Sequence, residues 1–346
     1  MRNLNPERMH RSACELFTIG LIAALFIAMP AEAIKLGVLG DSLSDEYAEE
    51  TYGVYAQNWN EQLVNFAGID LGPTATEAGA CNSDPLCWGE PRRTGYEYNW
   101  ALSGATSTSL LALGQHTGLA AQVVPEAIDY VIIIIGANDY YPALTAYQSI
   151  YANIWSQAQI DTHNATIVAN ITTAIDTVLA TGAKVVVSNI PDYGLTPFVR
   201  GALTNVAGRQ RVFDAIALAN ADLLAVAADR GVVLIDHEGV AVAMFGTHAA
   251  PTTSVKVGNV DIMLAQIDTA SGGNPTAAFT HDGIHPNTTL QALLANLIME
   301  SLNLGYGASL PLFTESEALA HSGIAYGGSD TVTAQIGAYS DHIVLP

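Results

Sequence analysis

The sequence predicts a doubly wound α/β/α sandwich, a parallel sheet covered by helices on both faces. Three observations carry that expectation. Apolar, mostly β-branched runs recur at 130–135, 184–188 and 232–236, with another at 35–39. Strands buried on both faces read as such continuous runs, whereas half-exposed strands alternate. Helix-patterned stretches separate the runs, which is the signature of crossover connections. The 346 residues, half of them hydrophobic and only 13% charged, are ample for a large core.

The elements follow in order. Residues 35–39 (Lys-Leu-Gly-Val-Leu) form a strand that Gly40 ends. Trp59, Leu63 and Phe66 at helical spacing predict a helix over 55–66. A second strand is expected near 98–102, where aromatic and polar residues mix and the periodicity is poor. Residues 130–135 (Tyr-Val-Ile-Ile-Ile-Ile) are the most apolar β-branched run. A helix over 165–180 runs into Gly182, just before the strand at 184–188. A long Ala/Leu-rich helix over 206–230 stops at Gly231 before the strand at 232–236. A last helix over 287–302 follows Pro286. Sheets of this kind gather their sites at the carboxyl ends of the strands, so Ser42, Gly104 and Asn138 are expected at one rim.

Two regions break the alternation. Residues 67–97 carry two cysteines with several Gly and Pro residues and read as an ordered surface insertion. Residues 240–279 contain a hairpin signal at Gly258-Asn259. The tail after Gly305 is rich in Gly, Ser and Thr, and is expected either to pack as short surface strands or to be loosely held.

Arg2, Arg8 and Arg11 precede an apolar stretch over 16–30, and Ala31-Glu32-Ala33 places small residues where a signal peptidase reads. A cleavable signal peptide over 1–33 is therefore expected, with an uncleaved anchor as the alternative; the run is short for a spanning helix. Export leads to the medium, the cell surface or the periplasm. In an oxidising compartment Cys81 and Cys87 are expected to close a disulfide rather than remain free thiols. The net charge of −21 weighs against a nucleic-acid partner and against anionic lipid.

The chemistry sits in short motifs. A serine hydroxyl is a poor nucleophile until a base takes its proton. Ser42, directly after the first strand, is the candidate nucleophile and His285 the candidate base; Asp282, three positions earlier, is placed to fix the imidazole tautomer. The amides of Ser42 and Gly104 and the side-chain NH₂ of Asn138 are candidate donors to a developing oxyanion. Ser44 and Asp45 are expected to cap a following helix. His281, beside Asp282 and His285, invites a metal reading, set aside because His285 is needed as a base and no carboxylate-rich motif accompanies it.

Taken together, Gly40-Asp41-Ser42-Leu43, Gly104 within Ser103-Gly104-Ala105-Thr106, Gly136-x-Asn138-Asp139 and Asp282-x-x-His285 resemble, in order, the four blocks of the SGNH/GDSL hydrolase superfamily. The resemblance spans 36 to about 303. It implies a flavodoxin-like α/β/α fold and ester hydrolysis without a cofactor or metal. It also implies Ser42 as nucleophile, His285 as base, Asp282 as its orienting acid, and an oxyanion hole of Ser42, Gly104 and Asn138. The expected organisation is a signal peptide over 1–33, a hydrolase domain over 34–305 and a C-terminal extension over 306–346. Tyr47, Tyr96, Tyr98, Trp100, Tyr140 and Tyr141 cluster around these blocks. Aromatic faces with polar tips suit sugar rings, so the expected substrate is a short-acyl or carbohydrate-linked ester, small or polymeric. A lipase or phospholipase on the same site, and an inactive carbohydrate-binding or surface module, are the alternatives.

Overall fold

The structure, a computed structural model, describes residues 33–81, 87–89, 91–326 and 339–346. The expected signal peptide lies outside the described residues apart from Ala33. The central sheet has the order β1-β2-β3-β4-β8: Leu36–Gly40, Tyr130–Ile134, Lys184–Ser188, Val233–Ile235 and Ile343–Val344. The first four run parallel in register, Gly37 opposite Val131, Ile132 opposite Val186, Val187 opposite Leu234. The fifth is antiparallel.

Alternation of side chains along each buried strand divides the core into two layers. One face presents Leu36, Val38, Ile132, Val186 and Val233 to α1 (Trp59–Ala67) and to the last long helix, Thr288–Tyr306. Helix α1 begins at a capping box, in which Asn58 accepts from the Glu61 amide and Glu61 from the Asn58 amide. The other face presents Leu39, Val131, Ile133, Val185 and Leu234 to the helices that follow. These are α2 (Ser107–Ala112), α3 (Gln115–Glu126), α4 (Thr145–Tyr151), α5 (Gln157–Leu179), α6 (Pro197–Ala202) and α7 (Val206–Arg230), with α3, α5 and α7 as the main cover. Helix α7 has the expected bounds and ends on Gly231 in the left-handed conformation.

Two expectations are corrected. Residues 98–102 form no strand. They still run beside β1, with Val38 donating to Tyr98 O, and Trp100 and Leu102 donating to Val38 O and Gly40 O. The segment then turns into the Gly104 loop, too short and irregular for a ladder. Ser44 and Asp45 cap no helix. The turn after β1 closes on itself through the Ser44 and Asp45 amides, both donating to Asp41 O, and two 3₁₀ turns follow, at Tyr47–Glu49 and Thr51–Val54, neither capped by Ser44 or Asp45.

The expected 240–279 insertion begins with α8 (His237–Phe245), which continues the strand–helix alternation. The hairpin at Gly258-Asn259 is present as β5 (Ser254–Val257) and β6 (Val260–Ile267), and β7 (Ala277–Phe279) adds to β6 in parallel. After α9 (Thr288–Tyr306), the tail forms α10 (Glu315–His321), and β8 joins the edge of the central sheet, so this part of the tail is packed. Cys81 and Cys87 are joined in a disulfide. Among the described residues no helix is long and apolar enough to cross a membrane.

Candidate active site

The rim of the sheet assembles the site. Chain after β1 carries Ser42, chain after the 98–102 segment carries Gly104, and chain after β2 carries Asn138. Because β1 has the 98–102 segment on one side and β2 on the other, the connections leave in opposite directions at this point. Such a reversal opens a crevice outside the strand ends. A cleft of about 630 Å³ lies there, lined among others by Ser42, Gly104, Asn138, Asp282 and His285.

His285 Nε2 lies 2.7 Å from Ser42 Oγ. Its Nδ1 lies 2.5 Å from Asp282 Oδ2. Asp282 is itself held on its second oxygen, which accepts from the amides of Ile284 and His285 and from the Thr280 hydroxyl, at 2.8, 3.0 and 2.9 Å. Burial pushes this carboxyl up, but the His285 ring and the two amides outweigh it and hold it down at about 2. Asp282 is therefore an anion across the working pH range. A carboxylate can only accept, so its contact with Nδ1 needs a proton on that nitrogen, and in the neutral ring that tautomer leaves Nε2 as an acceptor.

Gly104 is exposed, at φ +80, and a Cβ there would meet nothing within 4 Å. The missing Cβ leaves the amide open to close approach, and the left-handed backbone is one that other residues rarely adopt. Asn138 sits in the 3₁₀ turn Ala137–Tyr140 after Gly136. Its Nδ2 donates to Ala105 O at 3.1 Å. Its neighbour Asp139 accepts from both the amide and the hydroxyl of Ser107, tying this turn to the start of α2.

The turn after β1 that carries Ser42 contains and adjoins buried acids. Burial pushes Asp41 up to about 7, Asp45 to about 6 and Glu46 to about 8. Arg93, from the cysteine-bearing insertion, pairs with Asp45 and with Glu49. Asp45 also accepts from the amide of Ser103 at 2.6 Å, immediately before Gly104. The cysteine-bearing segment thereby reaches the rim of the cleft, a link invisible in the sequence.

The aromatic cluster is only partly at the cleft. Tyr140, Tyr47 and Tyr98 are buried, while Tyr141 lines the cleft. Tyr47 lies edge-on to the His285 ring at 6.0 Å, with its hydroxyl on Pro286 O. Tyr52, Tyr193 and Phe198, which the sequence did not single out, do line the cleft. Tyr52 covers the His285 ring at 5.2 Å between centroids. His281 is engaged by the Tyr55 hydroxyl at 2.9 Å.

The family described as "GDSL-like Lipase/Acylhydrolase" matches residues 36–298. Among solved structures, Axe2, an acetylxylan esterase from Geobacillus stearothermophilus, is similar at 15% identity and a TM-score of 0.39, over 77% of this chain and 92% of that one. TesA is similar at 18% identity and a TM-score of 0.40, over 78% and 98%. The acetyl xylan esterase AlAXEase is similar at 15% identity and a TM-score of 0.42, over 78% and 100%. No curated protein matches the sequence.

Proposed function

We propose, from the premise that this chain belongs to the GDSL-like lipase/acylhydrolase family and is a hydrolase of esters, that it is an exported serine esterase acting on short-acyl or carbohydrate-linked esters. The observation that carries the reading is the hydrogen-bonded series Ser42 Oγ, His285 Nε2, His285 Nδ1, Asp282 Oδ2. Ser42 attacks the ester carbonyl as its proton passes to His285 Nε2. The oxyanion is met by the amides of Ser42 and Gly104 and by the Asn138 side chain. His285 then protonates the leaving alcohol. Water, deprotonated by the same nitrogen, releases the acid and restores Ser42. Asp282 stabilises the imidazolium while it exists.

The substrate reading is supported by the walls of the cleft. Aromatic Tyr141 and Phe198 stand beside polar Thr51, Ser103 and Thr106, and neither Lys nor Arg is among the lining residues. Such a wall suits a neutral polyol better than a phosphate head group. The lipase alternative draws on an apolar cavity of about 80 Å³ behind the imidazole, lined by Leu43, Phe245, Phe279 and Ile284. Ser42 does not line that cavity; His285, Ile284 and Tyr193 are shared between it and the cleft. Export is supported by the disulfide, which persists in oxidising compartments.

The test compares wild type with Ser42→Ala on p-nitrophenyl esters from acetyl to palmitoyl and on acetylated xylan, with fluorophosphonate labelling of Ser42. Highest kcat/KM on acetyl and butyryl esters, acetate release from xylan, and loss of labelling in the variant are expected. Highest turnover on palmitoyl ester would establish the lipase reading instead. No labelling and no hydrolysis by wild type would leave an inactive module.

A further inference from the structure

The side chain of Asn138 can serve as an oxyanion donor only if its NH₂, and not its carbonyl, faces the cleft. The two ends of an amide have nearly the same shape, and its terminal torsion is soft. Neighbouring groups must therefore decide the orientation. Ala105 O can only accept, so the Nδ2 end must face it, as it does at 3.1 Å. That leaves Oδ1 needing a donor. Tyr193 supplies one: its hydroxyl donates to Asn138 Oδ1 at 2.9 Å. One N–H of Asn138 is thus spent on Ala105, the carbonyl is occupied, and the second N–H remains for the cleft. Burial, reinforced by nearby Asp41, raises the Tyr193 phenol well above its ordinary value, so it stays a donor throughout the working range.

Tyr193 is itself clamped. It opens the 3₁₀ turn Tyr193–Leu195, which starts where the Asp192 side chain accepts from the Gly194 amide at 2.7 Å. The other Asp192 oxygen lies 2.8 Å from His248 Nε2, close enough for an ion pair with a protonated ring though outside hydrogen-bond geometry, and both side chains are almost fully buried. A Cβ on Gly194 would stand 2.7 Å from His248 Cε1, so glycine is what lets the imidazole close over the turn. His248 comes from the loop that Gly246 and Pro251 bridge, in the region that the strand–helix alternation does not account for.

We propose that Tyr193 is a positioning residue for the oxyanion donor Asn138, and that the Asp192–His248 pair, contributed in part by the 240–279 region, holds it there. This rests on the reading that Asn138 donates to the oxyanion. An element outside the four motif blocks then sets the orientation of a group inside one of them.

The experiment is a double-mutant cycle in the full chain: Tyr193→Phe, Asn138→Ala and the pair, with kcat and KM on p-nitrophenyl acetate and a melting curve for each. Asn138→Ala is expected to lower kcat by about 10²-fold or more, the cost of one oxyanion donor. Tyr193→Phe keeps the ring and is expected to lower kcat about tenfold with KM within about twofold. In the Asn138→Ala background the same change should cost nothing further. His248→Gln reaches the same contact from behind and should show the same vanishing effect, which guards against poor folding of one variant. Full additivity of Tyr193→Phe with Asn138→Ala, or an unchanged kcat in Tyr193→Phe, overturns the positioning role while leaving the esterase reading intact. An Asn138→Ala enzyme with wild-type kcat removes the oxyanion role of Asn138, and this proposal with it.

Discussion

His285 Nε2 stands 2.7 Å from Ser42 Oγ across 243 positions of sequence. Ser42 stands at the carboxyl end of β1, and His285 lies between β7 and α9. Asp282, in the same turn as His285, anchors it through amide bonds as well as through the ring.

That dual anchoring makes Asp282→Asn informative. The amide oxygen can keep the bonds from Ile284 and His285, so the turn should hold. The imidazole loses the partner that fixes its tautomer, and kcat is expected to fall on the order of 10⁴-fold. A melting temperature close to wild type, measured beside the kinetics, separates this loss from unfolding. A fall of less than tenfold would mean that Asp282 does not orient the base.

Gly104 tests the backbone. Its φ of +80 lies where an L-residue pays a steric cost, yet space around it is open. Gly104→Ala is therefore expected to lower stability by about 1 kcal/mol through backbone strain alone. Urea denaturation reads this directly, and a stabilised variant would show that the loop relaxes to another conformation.

Arg93 ties the cysteine-bearing segment to the turn that carries Ser42. Its partners Asp45 and Glu49 are 2% and 7% exposed in their side chains. Removing one side of a buried pair leaves charge without compensation, so Arg93→Gln should cost about 3 kcal/mol. Because Asp45 also receives the Ser103 amide beside Gly104, kcat should fall too. Unchanged chemical denaturation would show that the two carboxylates take up protons without penalty.

Stability should fall as pH rises above neutrality. Burial pushes Asp41 up to about 7, and Glu46 and Glu238 to about 8. Each binds its proton more tightly folded than unfolded, so the unfolded state gains as pH climbs from the ordinary carboxylate range through those values. Partly buried His237 and His321, pushed down to about 4 by desolvation, act oppositely, but only below their ordinary value of 6.5. The melting temperature is thus expected to decline from pH 6.5 to about 8.5, and less so in Asp41→Asn. A flat or rising profile across that window would contradict the burial of these acids.

Legibility in the sequence followed how local the signal was. The runs at 130–135 and 184–188 became β2 and β3, because a strand buried on both faces needs apolar residues at successive positions. Gly231 ended α7 at the expected place, since a left-handed cap is a single-residue requirement. Residues 98–102 misled because their hydrogen bonds go to β1 without a regular ladder. The motif neighbourhood of Tyr47, Tyr140 and Tyr141 leaves open which of them is core; the rings of Tyr47 and Tyr140 are buried while Tyr141 lines the cleft, because which way a ring turns depends on what packs above it.

By itself the sequence determined the four parallel strands at 36–40, 130–134, 184–188 and 233–235, the bounds of α7 and the candidate Ser42, Asp282 and His285, all readable within a few consecutive residues. Only the tertiary structure decided that Tyr52, Tyr193 and Phe198 face the cleft, that Arg93 grips Asp45, that His248 closes on Asp192 and that β8 completes the sheet edge. Those contacts join segments far apart in the chain. They carry no period and no fixed spacing, because the crossover connections and loop paths, rather than local backbone preference, set which side chains meet.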